Sequence, residues 1–111
     1  MSETFSEIIR SDKLTLVDFY AEWCGPCKMM KPVLEELKKR IGDRARILKV
    51  DVDQSPLVAS AYHIQGVPTL MLFRNGQVLW RQAGVVPVAR LEELISRFAT
   101  TDQATSTGTT G

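Results

Sequence analysis

The sequence predicts an α/β sandwich in which a central mixed sheet of about four strands is flanked by four helices. Apolar runs of strand length alternate with segments whose apolar residues recur at helical spacing, in the order helix, strand, helix, strand, helix, strand, strand, helix. Asn75-Gly76, between the last two strands, is a strong signal for a tight antiparallel hairpin. At 111 residues the chain has the length of one domain.

Each predicted helix has a start signal or an apolar face. The first begins at the capping-box pattern Thr4 to Glu7, and the third begins at Ser55-Pro56. The second runs to about Ile41 and the fourth begins near Val88. Inward-facing apolar residues recur at helical spacing in all three of these helices. They are Met30, Val33, Leu34, Leu37 and Ile41 in the second helix, Leu57, Val58, Ala61 and Tyr62 in the third, and Leu91, Leu94, Ile95 and Phe98 in the fourth.

The strands are predicted at residues 14–19, 46–52, 69–73 and 77–83. The first is too continuously apolar for a half-exposed strand and suits a parallel strand that is covered on both faces. Asp18 lies inside this run, and Lys49 is embedded in the second strand in the same way. Because a buried carboxylate is costly unless it is hydrogen-bonded or protonated, Asp18 needs an explanation, and we expect Lys49 to be its neighbour.

Composition excludes several classes of protein. Fourteen basic and thirteen acidic residues leave a net charge of +1, so no overall field attracts nucleic acid or an anionic membrane. No apolar stretch approaches the roughly 20 residues of a membrane span. After a domain at residues 1–99, residues 100–111 hold six threonines and a single apolar residue, Ala104, which predicts a disordered tail.

Both cysteines of the chain lie between the first strand and the second helix, as Cys24-Gly25-Pro26-Cys27. A C-x-x-C pair at a helix start favours redox chemistry, because the helix dipole stabilises the Cys24 sulfur as an anion. A zinc site would need further ligands, but the chain has no third cysteine and one histidine, His63. A purely structural disulfide would close a very small loop and contribute only about 2 kcal/mol. We therefore expect no metal.

Several motifs support this interpretation. Residues 17–28 read VDFYAEWCGPCK, and residues 53–56, 66–69 and 73–76 read DQSP, GVPT and FRNG. Together with Gly84 they resemble the active-site segment and flanking motifs of the thioredoxin family, over about residues 5–98. Two departures are visible. Tyr20 stands where the family usually has a second tryptophan, and the chain begins where the family's first helix begins, so the usual first strand is expected to be missing.

The resemblance implies a thioredoxin-like three-layer sandwich. The strand from Leu14 would lie between those from Arg46 and Thr69, with the strand from Gln77 beyond. The strand from Arg46 would then form an edge, where its charged residues oppose aggregation.

The chemistry implied is disulfide reduction by dithiol–disulfide exchange. Cys24, at the mouth of the turn, is the predicted nucleophile, and the more enclosed Cys27 resolves the mixed disulfide. The resemblance assigns proton transfer to Asp18, assisted by Lys49; the alternative for Asp18 is a satisfied structural carboxylate. Gly25-Pro26 adds no positive charge beside the thiolate, which favours a reductase.

The predicted substrate surface surrounds the cysteines. Pro68 resembles the family's cis-proline, beside which the backbone of Val67 would pair with an extended substrate peptide. The remaining predicted substrate-binding residues share this rim: Trp23, Gly25, Pro26, Gly66 and Gly84.

Two other functions remain open: a thioredoxin-like binding or chaperone module with incidental cysteines, and an oxidase or isomerase of an exported compartment. For the reductase, the expected partners are disulfide-containing client proteins and, by resemblance, an NADPH-linked thioredoxin reductase. We expect a cytoplasmic monomer that does not bind nucleic acid or membranes. Its only redox group would be the Cys24–Cys27 disulfide, with no bound cofactor.

Overall fold

The computed structural model describes residues 4–107, and it describes the side chains of residues 4–99. The strands are β1 Leu14–Tyr20, β2 Ala45–Asp51, β3 Thr69–Arg74 and β4 Gln77–Ala83. The helices are α1 Phe5–Ile9, α2 Gly25–Ile41, α3 Pro56–Ala61 and α4 Val88–Thr107, and a 3₁₀ turn at Gly42–Arg44 joins α2 to β2. No helix in this part of the chain is both long and apolar enough to cross a membrane.

The strands form one mixed sheet in the order β2-β1-β3-β4. Strand β1 pairs with β2 in parallel and with β3 in antiparallel, and β4 is antiparallel to β3. This confirms the predicted mixed sheet, the central position of β1 and the edge position of β2. Residues Leu14 to Phe19 are all buried, as the continuous apolar run predicted.

Each face of the sheet packs against two helices, which makes the sandwich three layers thick. On one face, Leu14 and Leu16 of β1 pack with apolar residues of α2 and α4, such as Met30, Leu37 and Ile95. The other face packs against α1 and α3: Val17 and Phe19 of β1 join Ile9, Phe5 and Tyr62 there. Alternation of side chains along β1 divides its residues between the two cores.

The predicted local signals are present. Thr4 and Glu7 form a reciprocal capping box, in which the Glu7 N–H donates to Thr4 Oγ1 at 3.1 Å and the Thr4 N–H donates to Glu7 Oε1 at 2.9 Å. Asn75 and Gly76 both have positive φ, 55° and 77°, as a two-residue hairpin turn of type I′ requires.

The structure corrects one prediction about α3. Val58 and Tyr62 pack on the sheet, but Leu57, predicted to face inward, is 85% exposed. A helix of six residues presents only a narrow stripe to the sheet, and Leu57 lies about 100° around the axis from Val58. Ala61, also predicted to face inward, is exposed as well. Helical spacing therefore identified the helix but included two residues too many in its buried face.

The end of α4 also differs from the prediction, because the helix continues to Thr107 where a tail was expected from Thr100. Neither glycine nor proline interrupts residues 100–107, and extending an existing helix costs much less free energy than nucleating one. Residues 108–111, the rest of the predicted tail, lie outside the described residues.

Deletion of residues 100–111 is expected to change the melting temperature by no more than a few degrees and to leave thiol–disulfide exchange intact. The segment has one apolar residue to bury, Ala104. Thermal melts of the full and shortened chains, with an insulin-reduction assay of each, test this. A drop of many degrees would show that the segment contributes to packing.

Candidate active site

The two cysteines lie at the start of α2, directly after the C-terminal end of β1. Cys24 is the N-cap residue, with extended backbone, and Cys27 lies in the first helical turn. Pro26 occupies the first turn, where its missing N–H is not needed for a helical hydrogen bond. The sulfurs are joined in a disulfide whose Cα atoms are 5.3 Å apart. The sequence prediction that these residues form one redox pair is consistent with this geometry.

Cys24 has surroundings that favour a negatively charged sulfur. The backbone N–H of Cys27 donates to Cys24 Sγ at 3.1 Å, so the side chain of Cys24 itself caps the helix. The partial positive charge at the N-terminus of α2 acts in the same direction. Among the two sulfurs, Cys24 Sγ is the one that receives this hydrogen bond, which supports its role as the attacking thiolate.

The exposure of the cysteines differs from the prediction. Cys24 was expected to be the more exposed of the pair, but Cys24 is 3% exposed and Cys27 is 6% exposed. Both are packed beneath the turn because Ala21 and Val67 cover them in a small buried cluster. What separates the two residues is their contacts: Cys24 Sγ lies 3.5 Å from the carbonyl oxygen of Val67, whereas Cys27 lines a cavity that opens to the surface.

The loop before β3 supplies the backbone beside Cys24. The Val67–Pro68 peptide bond is cis, the isomer that the resemblance implied. The hydroxyl of Thr69 donates to the carbonyl of Gly66 at 2.6 Å, and the N–H of Gly84 donates to the carbonyl of Pro68 at 2.8 Å. These hydrogen bonds bring Gly66, Val67, Pro68 and Gly84 together near the disulfide.

Three further predicted rim residues are at the surface: Gly25 and Pro26 are exposed, and Trp23 is 71% exposed. The indole N–H of Trp23 donates to Asp53 Oδ2 at 2.8 Å, which holds the ring beside the active-site turn. Asp53 was not predicted as a site residue. The parallel pairing of β1 and β2 could have indicated Asp53, because parallel strands end at the same edge of a sheet. The loop after β2, which contains Asp53, therefore meets the loop after β1, which contains Trp23.

Asp18 is the buried charged group of the site. It is 1% exposed, and neither carboxylate oxygen has a hydrogen-bond partner among the described residues. Burial raises its pKa to about 6, and the nearby Lys49 ammonium acts against this shift. The alternative of a satisfied structural carboxylate is not supported by these contacts. An unpartnered buried acid with a raised pKa is typical of a group that exchanges protons.

Lys49 is the neighbour of Asp18, as the sequence predicted. The two residues pair across β1 and β2, and both side chains belong to the sheet face that carries α2. The Lys49 ammonium also lies 4.6 Å from the centre of the Tyr20 ring, in a cation–π contact. Tyr20 is thus a site residue whose role the sequence did not reveal, beyond its replacement of the family's usual tryptophan.

A cavity of about 310 Å³ connects these groups. Cys27, Tyr20 and Lys49 line it, together with Ala21, Glu22, Lys28 and Lys31. Asp18 is not among the described residues that line it, although it lies on the same face of β1 as Tyr20. The cavity therefore brings Cys27 and Lys49 to one space, with Asp18 paired to Lys49 at its side.

The described part of the chain contains no cluster of side chains suited to bind a metal ion. Among residues 4–107, no group of three or more histidine, cysteine, aspartate or glutamate residues is arranged to hold a metal ion. The redox group that the site does contain is the Cys24–Cys27 disulfide itself. Its chemistry is exchange: one sulfur forms a bond to a partner's sulfur while the other is released as a thiol.

The chain was similar to thioredoxins in the comparison with family models and in the comparison with individual sequences. The family model described as Thioredoxin matches residues 1–97. The chain is 42% identical over 94 residues to Thioredoxin 1 of Chlorobaculum tepidum, a match that covers 84% of this chain and 93% of that protein. It is also 42% identical over 87 residues to the thioredoxin of Bacillus subtilis, covering 78% of this chain and 84% of that protein.

Solved structures agree with the sequence comparison. An asparagine-to-glutamine mutant thioredoxin from Halobacterium salinarum superposes with a TM-score of 0.76 at 39% identity, covering 87% of each chain. The oxidized mitochondrial thioredoxin 3 of Saccharomyces cerevisiae superposes with a TM-score of 0.75 at 38% identity, covering 84% of this chain and 86% of that chain.

Proposed function

This chain belongs to the thioredoxin family, and from that premise we propose that it reduces disulfides of client proteins through Cys24 and Cys27. Membership of the family makes it a thiol–disulfide oxidoreductase. The observation that carries the proposed division of roles is the hydrogen bond from the Cys27 N–H to Cys24 Sγ at the N-terminus of α2.

The first step is attack by Cys24. In the reduced protein its thiolate attacks one sulfur of a client disulfide, forms a mixed disulfide, and releases the other client sulfur as a thiolate that takes up a proton. The Cys27 N–H and the helix dipole hold negative charge on Cys24 before the attack. This lowers the cost of keeping a reactive anion in a largely buried site.

The second step is release of the client by Cys27. Its thiol loses a proton, its sulfur attacks Cys24 Sγ, and the client departs as a second thiol, which leaves the Cys24–Cys27 disulfide. We assign the proton to Asp18, because burial raises its pKa to about 6, close to neutrality. Lys49 assists by stabilising the carboxylate charge, and Tyr20 orients the Lys49 ammonium.

Client proteins are proposed to bind over the disulfide as extended peptides. The backbone of Val67, beside Cys24 Sγ, would pair with the peptide, and Pro68 follows it through a cis peptide bond. Trp23, Gly25, Pro26, Gly66 and Gly84 form the surrounding surface. The exposed indole of Trp23 adds apolar area to this surface, and Asp53 fixes the orientation of the ring.

The partner that returns electrons is proposed to be an NADPH-linked thioredoxin reductase, because each cycle leaves the protein oxidised and requires an external dithiol. We propose a monomer in the cytoplasm, where thiol pools are reducing and a protein that donates electrons can be kept in the dithiol form. This assigns electron transport and maintenance of thiol redox balance as its cellular role.

The test of the proposed function is reduction of insulin in the presence of dithiothreitol. We expect the protein to accelerate precipitation of the insulin B chain well above the rate with dithiothreitol alone. A binding or chaperone module with incidental cysteines would leave that rate unchanged. The experiment therefore separates the enzyme from the alternative class.

Pro26→His is expected to shift the protein toward oxidation. A histidine cation beside Cys24 would stabilise the thiolate, hence the dithiol form, and would raise the reduction potential by roughly 30 mV or more, about tenfold in the equilibrium constant. Equilibration with glutathione buffers measures this, with Pro26→Ala as the uncharged control. An unchanged potential in the histidine variant would remove the charge argument for a reductase.

A further inference from the structure

A groove lies where α2 passes the outer edge of β2, next to the active-site cavity. It has a volume of about 490 Å³, and the apolar side chains of Leu34 from α2 and Ile47 from β2 line it. Leu34 is buried and Ile47 is half-buried. We call this the β2-edge groove. None of the proposed steps in disulfide exchange uses its apolar surface.

The backbone of β2 offers hydrogen-bonding groups along this groove. The N–H of Val52 donates to the carbonyl of Tyr20 in β1 at 2.9 Å, so it points toward β1. Since backbone groups alternate in direction along a strand, those of Ile47 and Lys49 point to the outer edge. The carbonyl of Asp51, two residues after Lys49, also points away from β1, because it accepts hydrogen bonds from N–H groups of the following loop. No strand among the described residues pairs with that edge.

Charged side chains around the groove are mostly of one sign. Four lysines and one glutamate line it, and all five are exposed: Lys31, Lys38, Lys39, Lys49 and Glu35. The whole chain has a net charge of only +1, so this is a local concentration of positive charge. A surface of this kind attracts ligands that carry carboxylates.

We propose that the β2-edge groove binds an acidic peptide segment of a partner protein in extended conformation. The peptide adds a strand to the sheet by pairing with the outward backbone groups of Ile47 and Lys49. Alternate side chains of an added strand face the same way, so one apolar side chain would contact Leu34 and Ile47 while acidic residues at either end meet the lysines. Backbone pairing would thus fix the position of the peptide along β2, and the lysines would select peptides with acidic side chains.

A second copy of this chain is the less favourable occupant. Pairing two β2 edges would bring the lysines of one groove toward those of the other, and like charges across an interface are repulsive. An acidic peptide instead neutralises them.

The probe is a fluorescein-labelled, seven-residue peptide with glutamate at its second and sixth positions, valine at the fourth and threonine elsewhere. In an extended strand the valine and both glutamates then face the groove. The peptide is titrated against the full chain at low ionic strength. We expect saturable binding that weakens at high salt and that falls about tenfold in Lys38→Glu/Lys39→Glu. The matched control is Lys13→Glu, an exposed lysine that does not line the groove and whose reversal should leave binding unchanged.

Amide hydrogen exchange tests the strand addition itself. Bound peptide should slow exchange of the Ile47 and Lys49 N–H groups, whereas the Leu48 N–H, which faces β1, should be unchanged. Three results would overturn the proposal: no slowing at Ile47 and Lys49, equal binding of a peptide with lysine in place of glutamate, or equal binding of a peptide of the same charge with proline in place of valine. Insulin reduction by Lys38→Glu/Lys39→Glu should be normal, so this outcome is independent of the thiol chemistry.

Discussion

Cys24→Ser is expected to abolish disulfide reduction, whereas Cys27→Ser still attacks a client disulfide and then accumulates as the mixed disulfide. The difference arises because only Cys24 Sγ receives the Cys27 N–H at the helix start, while Cys27 is needed to release the client. The loss of turnover should be essentially complete in both variants. The two variants differ in whether they can still form the mixed disulfide with a client.

Mass spectrometry of each variant, incubated with a peptide disulfide, checks this. The Cys27→Ser protein should gain the mass of one half of the peptide, and the Cys24→Ser protein should remain unmodified. Denatured samples of both proteins serve as controls for thiol reactivity without the fold. An adduct that accumulates on Cys24→Ser instead would reverse the assigned roles.

Asp18→Asn is expected to stabilise the protein at neutral pH. The folded pKa of Asp18, about 6, lies above its reference value of 3.8, so the folded state binds the proton more tightly than the unfolded chain. Ionised Asp18 therefore opposes folding: the penalty begins as pH rises above 3.8 and is complete above about 6. The shift corresponds to about 3 kcal/mol at pH 7, which the asparagine variant should regain.

Urea unfolding of both proteins across the acid to neutral range measures this difference. The free energies of unfolding should converge near pH 4 and diverge up to about pH 6. Asp12→Asn, which neutralises an exposed carboxylate, is the matched control and should show little change. Equal stabilities at pH 7 would mean that ionised Asp18 carries no folding penalty.

The same Asp18→Asn substitution should slow the resolving step at least about tenfold, because Cys27 loses its proton acceptor. Single-turnover measurement of mixed-disulfide decay isolates this step from the initial attack, which should keep its rate. A variant that is stabilised but resolves normally would separate the buried charge from the proton transfer, and the assignment of Asp18 as the base would be wrong.

Much of this architecture could be predicted from short-range patterns. The apolar run at residues 14–19 indicates a strand covered on both faces, and the acid inside that run identifies Asp18 as a group with a special role. Asn75-Gly76 predicted the hairpin because few other dipeptides adopt two consecutive positive φ angles. Each of these signals depends only on residues that are close together in the sequence, so the sequence is enough to recognise it.

Other features depend on which distant residues the fold brings together. The Trp23–Asp53 hydrogen bond joins residues 30 positions apart, and the cover over Cys24 comes from Val67. Neither follows from the spacing of the cysteines, which is why Cys24 was predicted to be more exposed than it is. The contact of Tyr20 with Lys49 likewise requires the β1–β2 register, which the sequence pattern did not specify.

The most direct test of the central claim, that this protein is a reductant, is the reduction potential of the Cys24–Cys27 disulfide. We expect a value near about −270 mV, which is the value known for thioredoxin itself and not one calculated from this site. Equilibration with a dithiothreitol redox buffer, followed by quantification of free thiols, gives the number. A potential near about −120 to −180 mV, the range of dedicated oxidants and isomerases, would contradict the assignment.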